Sequence, residues 1–156
     1  MSTQMTDQER EVQTFDFNKG LLIAAPIEIT WEAILAEIGP ECVMPDGTPL
    51  PLKLEAWPGG RWYRDLGNGA GHFWGHVQVI KPPKLLEICG PMAMSYPAVN
   101  HIQYRLTAED KGTHLKLNHR AIGLIPAEHR DGMPEGLEFW LGRIRELAEG
   151  KARGKK

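Results

Sequence analysis

Apolar residues alternate with polar residues near the start of the chain and then change their period. Over residues 12–24 the apolar side chains fall on alternate positions, which predicts a strand with one buried face. After Pro26 they follow the spacing of one helical face as far as Gly39 and Pro40, which predicts a short amphipathic helix. The defining apolar positions are Phe15, Phe17, Leu21 and Ile23 in the strand and Ile27, Trp31, Ile34, Leu35 and Ile38 in the helix.

Turn signals recur at short spacing through the middle of the chain, beginning with Pro58, Gly59 and Gly60. The runs between them are strand-like, and sequential strands joined by brief turns form an antiparallel meander. Residues 41–51 are rich in Pro, Asp and Gly and have no period, so we expect a long loop that acts as a lid over a binding site. The predicted strands of the meander are residues 52–57, 61–66, 72–80, 84–89, 99–108 and 113–123.

The end of the chain carries one apolar helical stripe, which begins near Pro134 and includes Leu137, Leu141 and Ile144. A helix with a single apolar stripe needs a partner surface, and the sheet is the only one large enough. The predicted fold is therefore α+β: a strongly curved antiparallel sheet of about seven strands wrapped around a long C-terminal helix. We expect a disordered N-terminal segment at 1–11, a single domain at 12–150 and a disordered basic tail at 151–156.

Composition and charge narrow the class of function. The 156 residues suit one domain, and a formal net charge of -2 argues against a nucleic-acid partner, which needs a concentrated basic face. No window holds the roughly 20 apolar residues of a membrane span, and the polar start lacks the apolar stretch of a secretory signal. We therefore expect a cytoplasmic protein with no membrane span, in which Cys42 and Cys89 are reduced thiols.

The turn near residues 109–112 fixes which side chains of the last two strands face the helix. Pairing Ala108 with Thr113 places four further pairs on the same face of the sheet. Those pairs are Leu106 with Leu115, Tyr104 with Leu117, Ile102 with His119, and Asn100 with Ala121. In the 72–80 strand, alternation predicts that Phe73, Gly75, Val77 and Val79 face inward and that Trp74, His76 and Gln78 face outward.

Asn100, Tyr104 and His119 are thereby expected to lie close together among apolar side chains. A few polar groups in an apolar cleft are typical of a small-molecule site. The predicted ligand-binding residues are Trp62, Arg64, Phe73, Asn100, Tyr104, His119 and Trp140. The structural alternatives are that His119 is a core histidine bonded to Tyr104 or to a backbone carbonyl, and that Trp140 belongs to the core.

Motifs for metal binding and catalysis receive little support. His72 and His76 would lie about 13 Å apart on a strand, whereas zinc ligands sit about 2 Å from the metal. The glycine-rich run 67–71 precedes a strand, so it is interpreted as a hairpin turn and not as a phosphate-binding loop. No GxSxG motif is present. We predict no catalytic residue, no metal and no cofactor.

Several motifs together carry a family resemblance over roughly residues 13–147. They are an Ala25-Pro26 helix start with Trp31, a Gly59-Gly60 strand opening, Gly75-x-Val77 followed by Pro82-Pro83 and Leu86, and Thr113 with Leu115. This set resembles the helix-grip, START-like superfamily called SRPBCC, and within it the bacterial branch related to Aha-type activators of the heat-shock-protein-90 ATPase. Members often open the last helix with Gly-Trp, where this chain has Gly136-Leu137 and Trp140 one turn later.

The resemblance implies a cavity between sheet and helix, with roles that range from hydrophobe carriage to cyclase, dehydratase and partner-regulating activity. A dry cavity of about 300 Å³ would cost about 7 kcal/mol, so side chains, water or a ligand must fill it. We expect binding of a small hydrophobic molecule. One alternative is a cyclase- or hydrolase-type enzyme in which His119 is the base and Tyr104 or Asn100 polarises a carbonyl. The other is a homodimer or partner-binding regulator that uses an outward face with Trp74.

Overall fold

Seven antiparallel strands and two helices make up the chain in the computed structural model, which describes residues 11–154. The strands form one curved sheet in the order β1-β7-β6-β5-β4-β3-β2, so the first strand lies beside the last. The predicted α+β helix-grip arrangement is confirmed. The elements are β1 (Gln13–Ile23), α1 (Ile27–Glu37), β2 (Lys53–Leu54), β3 (Arg61–Gly67), β4 (Ala70–Lys81), β5 (Leu85–Gly90), β6 (Ala98–Glu109), β7 (Gly112–Gly123) and α2 (Ala127–Gly154).

The β6–β7 hairpin has the register that its turn predicts. Ala108 pairs with Thr113 and Asn100 pairs with Ala121, and the three pairs between them also match. Because both strands alternate strictly, Leu106, Leu115 and their same-face neighbours are buried under the helices. Three predicted polar residues of the site, Asn100, Tyr104 and His119, lie on this hairpin.

The predicted facing of β4 is wrong at Phe73, Trp74 and Val79 because the register of this strand shifts twice, the first time at a β-bulge. Trp62 of β3 pairs with Gly75 and the next residue, Tyr63, pairs with Phe73, so Trp74 is an extra residue in β4. The predicted inward Phe73 is 46% exposed, whereas the predicted outward Trp74 is only 2% exposed. Past this first bulge Val77 is buried and His76 and Gln78 are exposed, as predicted. A second register shift follows between Val77 and Val79, so that Val79 pairs with Glu87 while Ile80 pairs with the fully buried Leu86 and packs against the core. The predicted inward facing of Val79 is therefore wrong.

The β4 and β5 backbones approach each other closely beside this bulge. A Cβ atom built on Gly90 would lie 2.4 Å from Gly75 Cα and 2.5 Å from the carbonyl oxygen of Trp74. No side chain fits there, so glycine at 90 permits the contact. The same Trp74 oxygen accepts a 2.8 Å hydrogen bond from the backbone N–H of Met92, which anchors the β5–β6 loop to the bulge.

Helix α2 is longer at both ends than its apolar stripe predicted. It begins at Ala127 and contains Pro134 in its interior, about two turns after its start. It also continues past Gly150 to Gly154, so residues 151–154 are helical and the predicted disordered tail is wrong there. The predicted disorder of 1–10 and 155–156 lies outside the described residues. Within 11–154, neither helix combines the length and apolarity needed to cross a bilayer.

The two halves of α2 pack into different parts of the core. Leu141, Ile144 and Ala148 join the main cluster together with α1 and the central strands. Met133 and Leu137 join a second cluster around Phe15, Ala121 and Ile125. Trp140 packs against both clusters. The C-terminal half of α2 therefore fills the hollow of the sheet, while space remains beside the N-terminal half.

Candidate functional site

A partly open cavity of about 170 Å³ lies between the N-terminal half of α2 and the sheet. Gly132 and Gly136, one turn apart on α2, both line it. A Cβ atom at either position would meet no other atom within 4 Å. The missing side chains of these glycines help to leave the space open. The remaining walls are His129, Met133, Leu137 and Trp140 from α2, Met92, Ala93 and Met94 from the β5–β6 loop, and Trp74 and His119 from the sheet.

The cavity is covered by the β5–β6 loop and not by the 41–51 loop that the sequence predicted as a lid. Tyr96 of the β5–β6 loop is hydrogen-bonded through its hydroxyl to His129 Nδ1, which ties this loop to the start of α2. The 41–51 loop instead contacts Trp140, whose indole N–H donates a 2.8 Å hydrogen bond to the Val43 carbonyl oxygen. This bond orients the Trp140 ring, which forms one wall of the cavity.

His119 and Asn100 form a fully buried hydrogen-bonded pair at the floor of the cavity. The Nε2 atom of His119 lies 2.7 Å from Asn100 Oδ1. The Asn100 amide nitrogen donates to the Gly90 carbonyl oxygen at 3.2 Å and contacts the Met94 sulfur at 3.4 Å. Since the amide nitrogen serves those acceptors, its oxygen must accept from His119, so Nε2 carries the proton. His119 Nδ1 is then an unprotonated acceptor.

Burial fixes the charge state of the His119 ring. Desolvation, with a smaller effect of His101, lowers the pKa of His119 from 6.5 to about 4. The ring is therefore neutral at pH 7. Among the described residues, no Lys, Arg, Asp or Glu lines the cavity, so the site carries no formal charge at neutral pH.

Two buried polar atoms of the cavity residues have no hydrogen-bond partner in the protein. They are His119 Nδ1 and Trp74 Nε1. Both residues belong to the cavity wall. An unpaired buried polar group costs about 1–3 kcal/mol, so such groups are normally satisfied by something. The two residues belong to an otherwise largely apolar wall of methionine, leucine and aromatic side chains.

The structure brings together only part of the predicted site. His119 and Trp140 line the cavity, and Asn100 is one hydrogen bond away. Trp62 lies behind Trp74 in an edge-to-face contact, with ring centroids 5.0 Å apart, and its N–H donates to the Ile38 carbonyl oxygen at 2.7 Å.

Three predicted site residues lie elsewhere. Arg64 and Phe73 border a shallow depression on the β3–β4 hairpin. Tyr104 is buried in the main cluster. Burial raises the pKa of its hydroxyl, and the nearby Cys42 and Glu37 raise this pKa further. The sequence interpretation missed Trp74, because a bulge leaves no trace in the alternation pattern, and it missed the glycine pair at 132 and 136, whose four-residue spacing was visible.

A second buried polar group, Glu37, lies outside the cavity at the junction of α1 and α2. Its carboxylate is 1% exposed, and its Oε2 atom lies 3.3 Å from Arg143 Nε. Burial raises the pKa of Glu37 from 4.5 to about 7, although Arg143 opposes the shift. Burial, with Glu37 nearby, also raises the pKa of the Cys42 thiol to about 12. The thiol is therefore protonated and inert at neutral pH.

Comparisons with known proteins support the fold at low sequence identity. The chain matches an uncharacterised protein from Rhizobium leguminosarum with a TM-score of 0.69 and 17% identity, over 90% of this chain and 97% of that one. It also matches the di-domain ARO/CYC StfQ from the steffimycin biosynthetic pathway, with a TM-score of 0.60 and 13% identity over 90% of this chain and 52% of that one.

A third similar structure is CalU16 from Micromonospora echinospora, with a TM-score of 0.58 and 20% identity over 89% of this chain and 76% of that one. No protein-family model and no curated protein matches the chain. At these identities the matches establish a helix-grip-like fold that is shared with ARO/CYC-type proteins.

Proposed function

We propose that the protein binds a small, largely apolar molecule in the cavity between the sheet and α2. The observation that carries this proposal is a partly open cavity whose wall combines methionine, leucine and tryptophan side chains with two histidines, His119 and His129. Few convergent polar groups within apolar walls are the usual composition of a small-molecule site. Left dry, a cavity of 170 Å³ would cost about 4 kcal/mol.

The volume limits the size of the ligand. Apolar cavities of about 150 Å³ hold benzene, whereas drug-sized ligands occupy about 300–1,000 Å³. At about 170 Å³ this cavity suits one aromatic ring. A lipid chain or a fused polycyclic molecule would require displacement of the β5–β6 loop.

A cyclase- or hydrolase-type reaction in the same cavity has less support. The fold is similar to that of an ARO/CYC protein. However, the pKa of His119 is lowered to about 4, and the best general base has a pKa near the working pH. Tyr104, the predicted partner in polarising a carbonyl, is buried in the main cluster and is absent from the cavity wall.

A partner-binding role loses its main argument because Trp74 is buried. Trp57, 57% exposed, remains on the surface of the described chain, but single exposed apolar residues are ordinary on protein surfaces. We infer the closer relation to the Aha-type branch from the quoted motifs alone. The small-molecule proposal does not depend on it.

A leucine at position 136 is expected to abolish binding of single-ring ligands by filling the cavity. Calorimetric titration with toluene as the probe should give saturable binding to the wild type and at least tenfold weaker binding to Gly136→Leu. The variant should remain folded, because replacing a helical glycine stabilises a helix by roughly 1 kcal/mol.

Gly142→Leu is the matched control. Gly142 lies on the same helix, a Cβ atom there also meets nothing within 4 Å, and the residue does not line the cavity. This variant should gain the same helix stability and bind toluene like the wild type. Equal binding by both variants, or no binding of toluene, phenol or benzene to the wild type, would contradict the proposal.

A further inference from the structure

We infer that the charge of Glu37 regulates the ligand cavity: when Glu37 is ionised it holds Arg143 and, through it, the 41–51 loop, which orients the Trp140 wall for binding. This inference rests on the proposed function and adds its regulation. It follows from a series of contacts that begins at a buried carboxyl group of α1 and ends at a side chain of the cavity wall.

Two side chains of α2 fasten the 41–51 loop. The Arg143 Nη2 atom donates a 3.3 Å hydrogen bond to the Glu41 carbonyl oxygen. The Trp140 indole N–H donates a 2.8 Å hydrogen bond to the Val43 carbonyl oxygen. Backbone hydrogen bonds from the N–H groups of Glu41 and Cys42 keep this end of the loop compact. A displacement of the loop at Glu41 is therefore expected to reach the carbonyl group that orients Trp140.

The contact between Glu37 and Arg143 depends on charge. Glu37 Oε2 lies 3.3 Å from Arg143 Nε, but the two groups are not aligned as a hydrogen bond. Their attraction is therefore mainly electrostatic, and it is strengthened because the Glu37 side chain is fully buried. Protonation of Glu37 removes this attraction. Arg143, 27% exposed, is then free to turn towards water and away from the Glu41 carbonyl oxygen.

The groups around Glu37 determine the pH at which it ionises. They are Arg143 and Glu146 on α2, Glu41 and Cys42 in the 41–51 loop, and Tyr104 on β6. Burial raises the pKa of Glu37 from 4.5 to about 7, while Arg143 opposes this shift and the two other carboxyl groups add to it. Burial also raises the pKa of the thiol and of the phenolic hydroxyl, so both stay neutral near pH 7. The charge that changes in this cluster near pH 7 is therefore that of Glu37.

The two histidines of the cavity wall titrate at lower pH. Burial lowers the pKa of His119 from 6.5 to about 4 and also lowers the pKa of His129. Both rings are therefore largely neutral above about pH 6.5. A change of ligand affinity between about pH 6.5 and about pH 8.5 is then due to Glu37. Affinity should rise with pH, because the ionised form holds Arg143.

The test is calorimetric titration of the full-length wild type with toluene, whose charge does not change with pH, at about pH 6.5 and about pH 8.5. We expect the affinity to rise about threefold or more over this range, since complete switching of one site typically changes another about fivefold or more. Equal affinity at both pH values would overturn the regulation and leave the proposed function intact. Failure of toluene, phenol and benzene alike to bind at either pH would instead refute the proposed function.

The Glu37→Gln variant isolates the carboxyl group. It removes a buried charge, so the protein should remain folded. At both pH values it should bind toluene no more tightly than the wild type does at about pH 6.5. Glu32→Gln, which changes an exposed carboxylate on the same helix, is the matched control and should keep the wild-type pH dependence. A wild-type pH dependence in Glu37→Gln would overturn the inference.

Proton release gives an independent readout. Because linkage is reciprocal, a ligand that favours ionised Glu37 must lower the pKa of Glu37 and release protons when it binds near pH 7. Toluene has no acidic proton, so the heats of binding to the wild type should differ between two buffers of different ionisation enthalpy. We expect no such difference for Glu37→Gln. Equal heats in the two buffers for the wild type would contradict regulation by Glu37.

Discussion

Relative to the wild type, the Glu37→Gln variant is expected to gain up to about 3 kcal/mol of unfolding free energy as the pH rises from about 4 to about 8. Burial raises the pKa of Glu37 from 4.5 to about 7. A carboxyl group with a raised folded-state pKa contributes stability that is complete below the unfolded pKa and is lost as the pH rises through the folded pKa. Glutamine is neutral at every pH, like the protonated acid, so the variant does not lose this stability as the pH rises.

His119 imposes the opposite slope over an overlapping range. Its pKa is lowered from 6.5 to about 4, so its contribution is complete above pH 6.5 and is lost as the pH falls towards 4. In the wild type the two slopes largely cancel between about pH 4.5 and 6.5. Glu37→Gln should expose the His119 slope alone, with stability falling on acidification.

Urea denaturation at a series of pH values measures both slopes. The matched control is Glu32→Gln, an exposed carboxylate on the same helix, which should follow the wild-type curve. Arg143 is 27% exposed and donates to the Glu41 carbonyl oxygen, so water can solvate it when Glu37 is neutralised. Parallel curves for Glu37→Gln and wild type would show that Glu37 is charged and well solvated across this range.

Local patterns predicted most of the fold because its contacts are sequential. The β6–β7 register depends on one turn and a strict alternation, and every predicted pair is present. The start of α2 was missed because Pro134 resembles a first-turn proline, whereas Ala127 precedes it by about two turns of a less apolar helix. The sequence therefore indicated the packing stripe and not the ends of the helix.

The candidate site was predicted less well because the inward face of β6 is longer than the cavity and also borders the main core cluster. Tyr104 shares the inward face of β6 with Asn100 but lies four residues away, about 13 Å along the strand. That distance takes it under the other half of α2, near Glu37. At β4 one bulge reverses the facing of Phe73 and Trp74, and a second register shift turns Val79 outward. The close Gly75–Gly90 approach lies beside the first of these.

Replacing Asn100 with leucine is expected to lower the unfolding free energy by about 3 kcal/mol. The fully buried amide bonds both His119 and the Gly90 carbonyl, and leucine leaves those two groups unpaired. The loss should be strongly coupled to His119, because removing both partners relieves the unpaired Nε2–H. We expect the Asn100→Leu, His119→Leu double variant to lose about 1–2 kcal/mol less than the sum of the single losses.

The control for this cycle is Asn118→Leu. Asn118 precedes His119 on β7, and its amide donates a 3.1 Å hydrogen bond to the Gln103 side chain on the outer face of the sheet. Its loss should therefore be about 1 kcal/mol. Additive losses in the double variant, measured by urea denaturation, would show that the His119–Asn100 bond does not hold the ring.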